Sequence, residues 1–418
     1  MLIAPNSYGA LSATSANTIK GNAPTFMGQS GASKLGFKIG TTMYSEREGN
    51  LSSSSSVINY FNAGLKLSDF MVISLAATDF SPTTDFYDAD GDEGFSTATD
   101  TFLMGSVTYD WYEGNTRLDK TNATVMNKTL DCGSGLNLPL TLKITLPNVK
   151  VRSRYGDPNE SGETDLVKTY KIGSTSGICY VKPNNLETAS SDPLHGGGYT
   201  DDFEPSKGFK ASADPKFPTT GFPGAEFKLI MTSSNSNWEF SSNTTAVKVS
   251  NSYGKEGAVT LKSKPTGAVT IKAKLKGSTN PVIEHEYTFN PSNVWVVPRT
   301  SQYTYAQAIN VCGGENKIPT RADLTNSPYS TGYEGVSSIP YNYFTRAIGG
   351  GVMGEWGAVK TGGVGAYPGE SHWHNSWFWY WTRDVYDSNY HFYVMSGLQR
   401  GGVGWLGNGD LRYVACLG

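Results

Sequence analysis

The stretch from Val294 to the C-terminus constrains the fold most. It runs VWVVPRTSQYTYAQAINVCGGENKIPTRADLTNS, passes through RAIGGGVMGEWG and WFWYWTRD, and closes on YVACLG. Tyr305, Ala308, Ile309 and Cys312 fall on one helical face, and Gly313 stands where a C-terminal cap belongs. Thr320 then reads as the N-cap of a second short helix, with Asp323 three residues on in a capping-box arrangement. A Gly-, Trp- and Tyr-rich series of short strands follows and ends in a second cysteine. This order predicts a module of two short helices against a β-rich remainder, over residues 291–418.

Upstream, the signals are those of strands. Leu140, Leu142, Ile144 and Leu146 alternate with Thr141, Lys143 and Thr145, the period of a half-buried strand. Together with LSDFMVISLAA, TFLMGSVTYDWY and ICYVKP, this predicts a β-sandwich over 41–221, after an extended N-terminal segment 1–40. The Gly/Pro/Asp-rich stretch 186–224 reads as a long ordered connection. AEFKLIM, AVKVS, GAVTLKSKP, GAVTIKAKLKG and EHEYTF then recur at regular spacing, predicting an immunoglobulin-like sandwich over 222–290. Within it Val269, Ile271, Ala273 and Leu275 form a core row, and the alternating lysines form a solvated one. The fold class expected is mostly β: tandem sandwiches followed by an α+β module.

Composition narrows the function. Charged residues make up only 17% of the 418 residues and the formal net charge is −3, so there is no basic face with which to read nucleic acid. No run of about 18 apolar residues exists to cross a bilayer as a helix. The opening MLIAPNSYGA lacks a basic region followed by an apolar segment, so no signal peptide is visible. The sequence has no Gly-x-Ser-x-Gly, HExxH or P-loop, which argues against an enzyme. No cofactor is implied.

The four cysteines have no CxxC spacing. Of the three ways to pair them, Cys132–Cys179 and Cys312–Cys416 each close within one expected domain; four reduced thiols are the alternative.

The C-terminal order resembles that of a C-type-lectin-like domain. TYAQAINVCGG, IPTRADLTN, RAIGGGVMGEWG, YWTRD and YVACLG also resemble the adhesion domain of enterobacterial invasin/intimin-related exoproteins, the Zir/Sin group. The resemblance continues upstream through YDADGDEGF, LTLKITLPNVKVRSRYGDPNE, ICYVKPN, GFKASADPKFPTTGFPGAEF and YTFNPSNVWV. It implies a secreted or surface-displayed bacterial adhesin that binds a host-surface protein or glycan, with an intimin-like outer-membrane barrel as a further partner. A virion receptor-binding or decoration protein and a surface-fibre subunit are the competing readings.

Candidate contacts lie late in the chain: Trp373, His374, Trp377, Asp384, Tyr386, Asn389, Tyr390, Arg400, Trp405, Asn408 and Asp410. Tyr and Trp with Asn and Gly suit adaptable recognition surfaces. Consecutive Trp377, Phe378 and Trp379 cannot all face inward from one strand. By contrast, the Glu and Trp of GEWG read as core. None of the tripeptides by which C-type lectins ligate calcium and sugar occurs, namely Glu-Pro-Asn, Gln-Pro-Asp and Trp-Asn-Asp. Structural calcium is a candidate only at Asp88, Asp90 and Asp92, whose alternating carboxylates suit a hard cation. As an EF-hand the loop fails, since Glu93 holds the required glycine position and Thr99 the final glutamate position.

Overall fold

The computed structural model describes residues 20–278, 282–329, 342–361, 365–374, 378–396 and 401–418. The chain forms two compact units. The first comprises residues up to Leu130 with Ser134–Ser174, and the second comprises Asp131–Gly133 with Thr175–Gly418. Strands dominate both.

In the first unit the strand Leu140–Val151 lies between Thr164–Ser174 and Thr108–Glu113, both antiparallel to it. Its alternation is what selects the buried face: Leu140, Leu142, Ile144 and Leu146 are fully buried while Lys143 is exposed. The register shifts between Leu146 and Val149, where Pro147 has no N–H to give the ladder and Asn148 adopts a positive φ of 55°. The shift returns Val149 and Val151 to the core.

Residues 20–40, expected as a loose extended segment, are instead built into this unit. Thr25–Phe26 pairs with Phe86–Tyr87, and Gly36–Ile39 pairs with Thr42–Ser45 and Met71–Val72. Phe37 is fully buried among Phe61, Phe70 and Tyr170, and the Tyr170 hydroxyl donates to the Leu35 carbonyl. Short strands with weak alternation carry little local signal, so only packing reveals them.

The second unit opens earlier than the sequence suggests. Ile178–Pro183 does not join the first sandwich; it pairs with Glu226–Met231 and Gly208–Lys210. Opposite stands a three-stranded sheet of Trp238–Ser242, Val269–Leu275 and Glu284–Phe289. Here Val269, Ile271, Ala273 and Leu275 are buried, and Lys272 on the outer face pairs with Glu284 and Glu286 of the neighbouring strand. Cys132 and Cys179 are bonded, as are Cys312 and Cys416.

The expected division between 222–290 and 291–418 is not a boundary between compact units. Val294–Pro298 pairs with Thr220–Gly221 on one side and with Ala415–Leu417 on the other, so the end of the chain completes a sheet begun before the immunoglobulin-like strands. The GEWG segment, expected among short strands, instead ends a third helix, Gly351–Trp356, and reinforces this. Glu355, fully buried, accepts hydrogen bonds from the backbone N–H and hydroxyl of both Thr219 and Thr220 and from the Gly349 N–H. Trp356 donates its indole N–H to the Thr220 carbonyl at 3.1 Å and packs against Phe217, Phe222 and Phe227.

Candidate functional site

The helix Tyr305–Cys312 is fixed at both ends. Thr304 and Gln307 form a capping box at its start, and Gly313 closes it at φ 80°, a conformation that only glycine adopts freely. The next helix, Arg321–Leu324, starts from Thr320 with Asp323 as its capping partner. Tyr305, Ala308, Ile318, Trp381, Val414 and Cys416 make the core beneath them.

Over that core lies a sheet of Trp379–Asp387, Tyr390–Met395 and Val403–Gly407. Strand alternation gives its two faces different work. His391 turns toward the first helix, where its ring stacks on Tyr305 with centroids 3.5 Å apart. Tyr390 and Phe392 turn the other way, and Trp405, paired in register with Phe392, joins them. Tyr386 stacks on Trp405 at 4.6 Å with the ring planes only 6° apart, while Tyr390 meets Trp405 edge-on at 4.9 Å. The Arg321 guanidinium sits 4.3 Å from the centre of the Phe392 ring. Tyr386, Tyr390 and Trp405 remain half-exposed, and Val385 and Leu411 are exposed. The result is a half-exposed aromatic face on a braced sheet, capable of stacking and hydrogen bonding.

The residues expected to make contact divide on inspection. Trp373 is a correction: at 2% exposure it lies between Phe222 and Tyr380, because T-shaped packing among rings buries it. His374 is half-buried against Phe378 and Tyr413, with its backbone N–H donating to the Tyr380 hydroxyl. Asp384 ties two elements together, accepting the Arg321 backbone N–H at the head of the second helix. Asn408 also braces: its carbonyl accepts from the Tyr305 N–H, and its side-chain oxygen lies 2.7 Å from His391 Nδ1. Asn389 and Asp410 are exposed in turns beside the aromatic face. Trp377 and Arg400 lie outside the described residues. Sequence reasoning missed Arg321 and Phe392, since nothing local marks a cation that will cover a ring from another element.

Ionisation follows burial. The Tyr305 hydroxyl is pushed up from its ordinary range by burial and by Glu315 beside it, and burial lowers Arg412. Among the described residues, the carboxylates of Asp88, Asp90 and Asp92 form the one cluster with metal-ligand geometry, and it stands in the first unit.

Residues 202–296 match the family model described as invasin, domain 4. The match begins ahead of the immunoglobulin-like start expected at 222. Among solved structures, the chain is similar to invasin, described as a bacterial integrin-binding protein, at 18% identity and a TM-score of 0.38, covering 80% of this chain. It spans about half of that structure's length, 52%. It is also similar to a C-terminal 282-residue fragment of intimin in complex with the intimin-binding domain of the translocated intimin receptor. That likeness has 15% identity, a TM-score of 0.35, and coverage of 76% of this chain and 87% of the other. For an intimin mutant of EHEC O157:H7 the values are 17%, 0.32, 52% and 93%. No curated protein matches.

Proposed function

We propose that this chain, which carries an invasin domain 4 module over residues 202–296, is a bacterial surface or secreted adhesin whose C-terminal module contacts a host-surface protein or glycan. The observation that carries this reading is the half-exposed face of Tyr386, Tyr390 and Trp405, held on a sheet that Asn408, the Tyr305 helix and the Cys312–Cys416 bond brace from behind. Aromatic area presented on a stiff support binds with little loss of side-chain freedom. The contact set we assign is Tyr386, Tyr390 and Trp405, rimmed by Asn389 and Asp410. Asp384 and Asn408 act as positioning residues behind it. Recognition, with no turnover, is the activity.

The test is binding of the full chain to host cells and to glycan and surface-protein arrays, beside Trp405→Ala and Tyr386→Ala. Loss of about tenfold or more in affinity for a target, with unchanged far-UV dichroism, is the expected result. Equal binding by both variants would overturn the assignment of this face. Anchoring through an intimin-like outer-membrane barrel is a further proposal, checked by whether the barrel retains the chain when the two are co-expressed. Neither the fold nor the family match favours the virion or fibre readings.

A further inference from the structure

We propose that the Asp88–Asp92 loop of the first unit is a calcium site that fastens three distant chain segments. One carboxylate oxygen from each of Asp88, Asp90 and Asp92 lies within 4.8 Å of the other two. Three carboxylates this close repel one another, and a cation among them would turn that repulsion into attraction. Among the described residues, no lysine or arginine forms an ion pair with any of them, although nearby Asp85 is paired with Lys34 at 2.6 Å.

A second observation is independent of the clustering. Asp88 is only 8% exposed, and while its Oδ1 accepts the Asp90 N–H, its Oδ2 is buried with no hydrogen-bond donor. A buried, bare carboxylate oxygen is costly in a folded protein unless something positive meets it. A divalent cation among the three carboxylates supplies that partner. Oxygen-only ligands from a loop, with room for waters on the exposed side at Asp90, fit the six to eight flexible positions of calcium better than the strict octahedron of magnesium.

The surroundings say what the ion would do. Asn22 donates its backbone N–H and its side-chain amide to the Asp90 carboxylate, the latter at 2.9 Å, and Gly21 N–H bonds the Asp157 carbonyl. On the other side Arg154 N–H bonds the Glu93 carbonyl, and Gly94 bridges to Ser153. The loop is therefore the meeting point of residues 21–22, 88–94 and 153–157, and an ion there would hold all three.

The experiment is calorimetric titration of calcium into the chelator-stripped full chain, with thermal unfolding followed in parallel. One site with a dissociation constant of about 10⁻⁴–10⁻³ M, the range of extracellular modules, is expected. A rise in melting temperature of a few degrees, reversed by EDTA, should accompany it. Asp88→Asn and Asp92→Asn should each weaken binding by about tenfold or more; the half-exposed Asp92 serves as the variant that keeps its fold if the buried one does not. Absence of binding in about 5 mM calcium, well above that range, would overturn the proposal. So would equal affinity for magnesium, or an Asp92→Asn chain that binds as well as the original.

Discussion

Glu355 shows how a single side chain can hold distant parts of a unit together. Burial pushes its carboxyl above the ordinary carboxylate range, and the Gly349, Thr219 and Thr220 donors oppose that shift. Removing the carboxylate orphans a set of buried donors at once, so Glu355→Ala should cost about 3–5 kcal/mol in denaturant unfolding, and Glu355→Gln less. Beside it Arg346 is fully buried over Phe203 and Phe209, and burial lowers its guanidinium to about 10. Glu46 illustrates the opposite balance. Burial works against its charge, but the Lys168 and Ser53 hydrogen bonds outweigh it and hold the carboxyl down at about 2, against 4.5 for the unperturbed group. A carboxyl lowered on folding stabilises fully above its unfolded value, and that contribution is lost as the pH falls from about 4.5 toward about 2. Acid titration of stability should therefore be shallower across that window in Glu46→Gln than in the original chain. An identical slope would refute the linkage.

At the scale of elements, helix ends were the most readable features. Gly313 and the Thr320–Asp323 pair perform the capping work that their residue types imply, because capping depends on atoms only a few residues apart. The row from Leu140 to Leu146 was legible for the same reason. The aromatic strands were not. Trp373, Trp379 and Trp405 look alike in sequence, yet one is core, one lies under Arg412, and one faces outward on Tyr386. Trp373 lies ahead of the strand in irregular backbone, while the faces of Trp379 and Trp405 are set by cross-strand register, and neither kind of placement is written locally. The Cys312–Cys416 bond closes a separation of 104 residues, worth about 4–5 kcal/mol in the chain-entropy model. Cys312→Ser with Cys416→Ser should lower the unfolding midpoint accordingly. The double variant should also bind targets less well if the braced sheet is what presents Trp405.

For the whole molecule, the decisive fact is that the second unit takes in both the immunoglobulin-like strands and the C-terminal module. Calorimetry should resolve two unfolding transitions, one per unit. A chain ending at Pro298 should lose or strongly depress the second while leaving the first in place, because it lacks the Ala415–Leu417 strand and the Glu355 hub. Retention of both transitions would show that the shared sheet is dispensable.

Composition and local pattern determined a mostly β chain with two capped helices near its end, because alternation, caps and turn residues act over a few positions. The partners of those strands were decided only in three dimensions. Ile178–Pro183 belongs with Glu226–Met231, and the last strand lies beside Val294–Pro298, since a half-buried strand offers the same hydrogen bonds to any neighbour and only the packing of its side chains selects one.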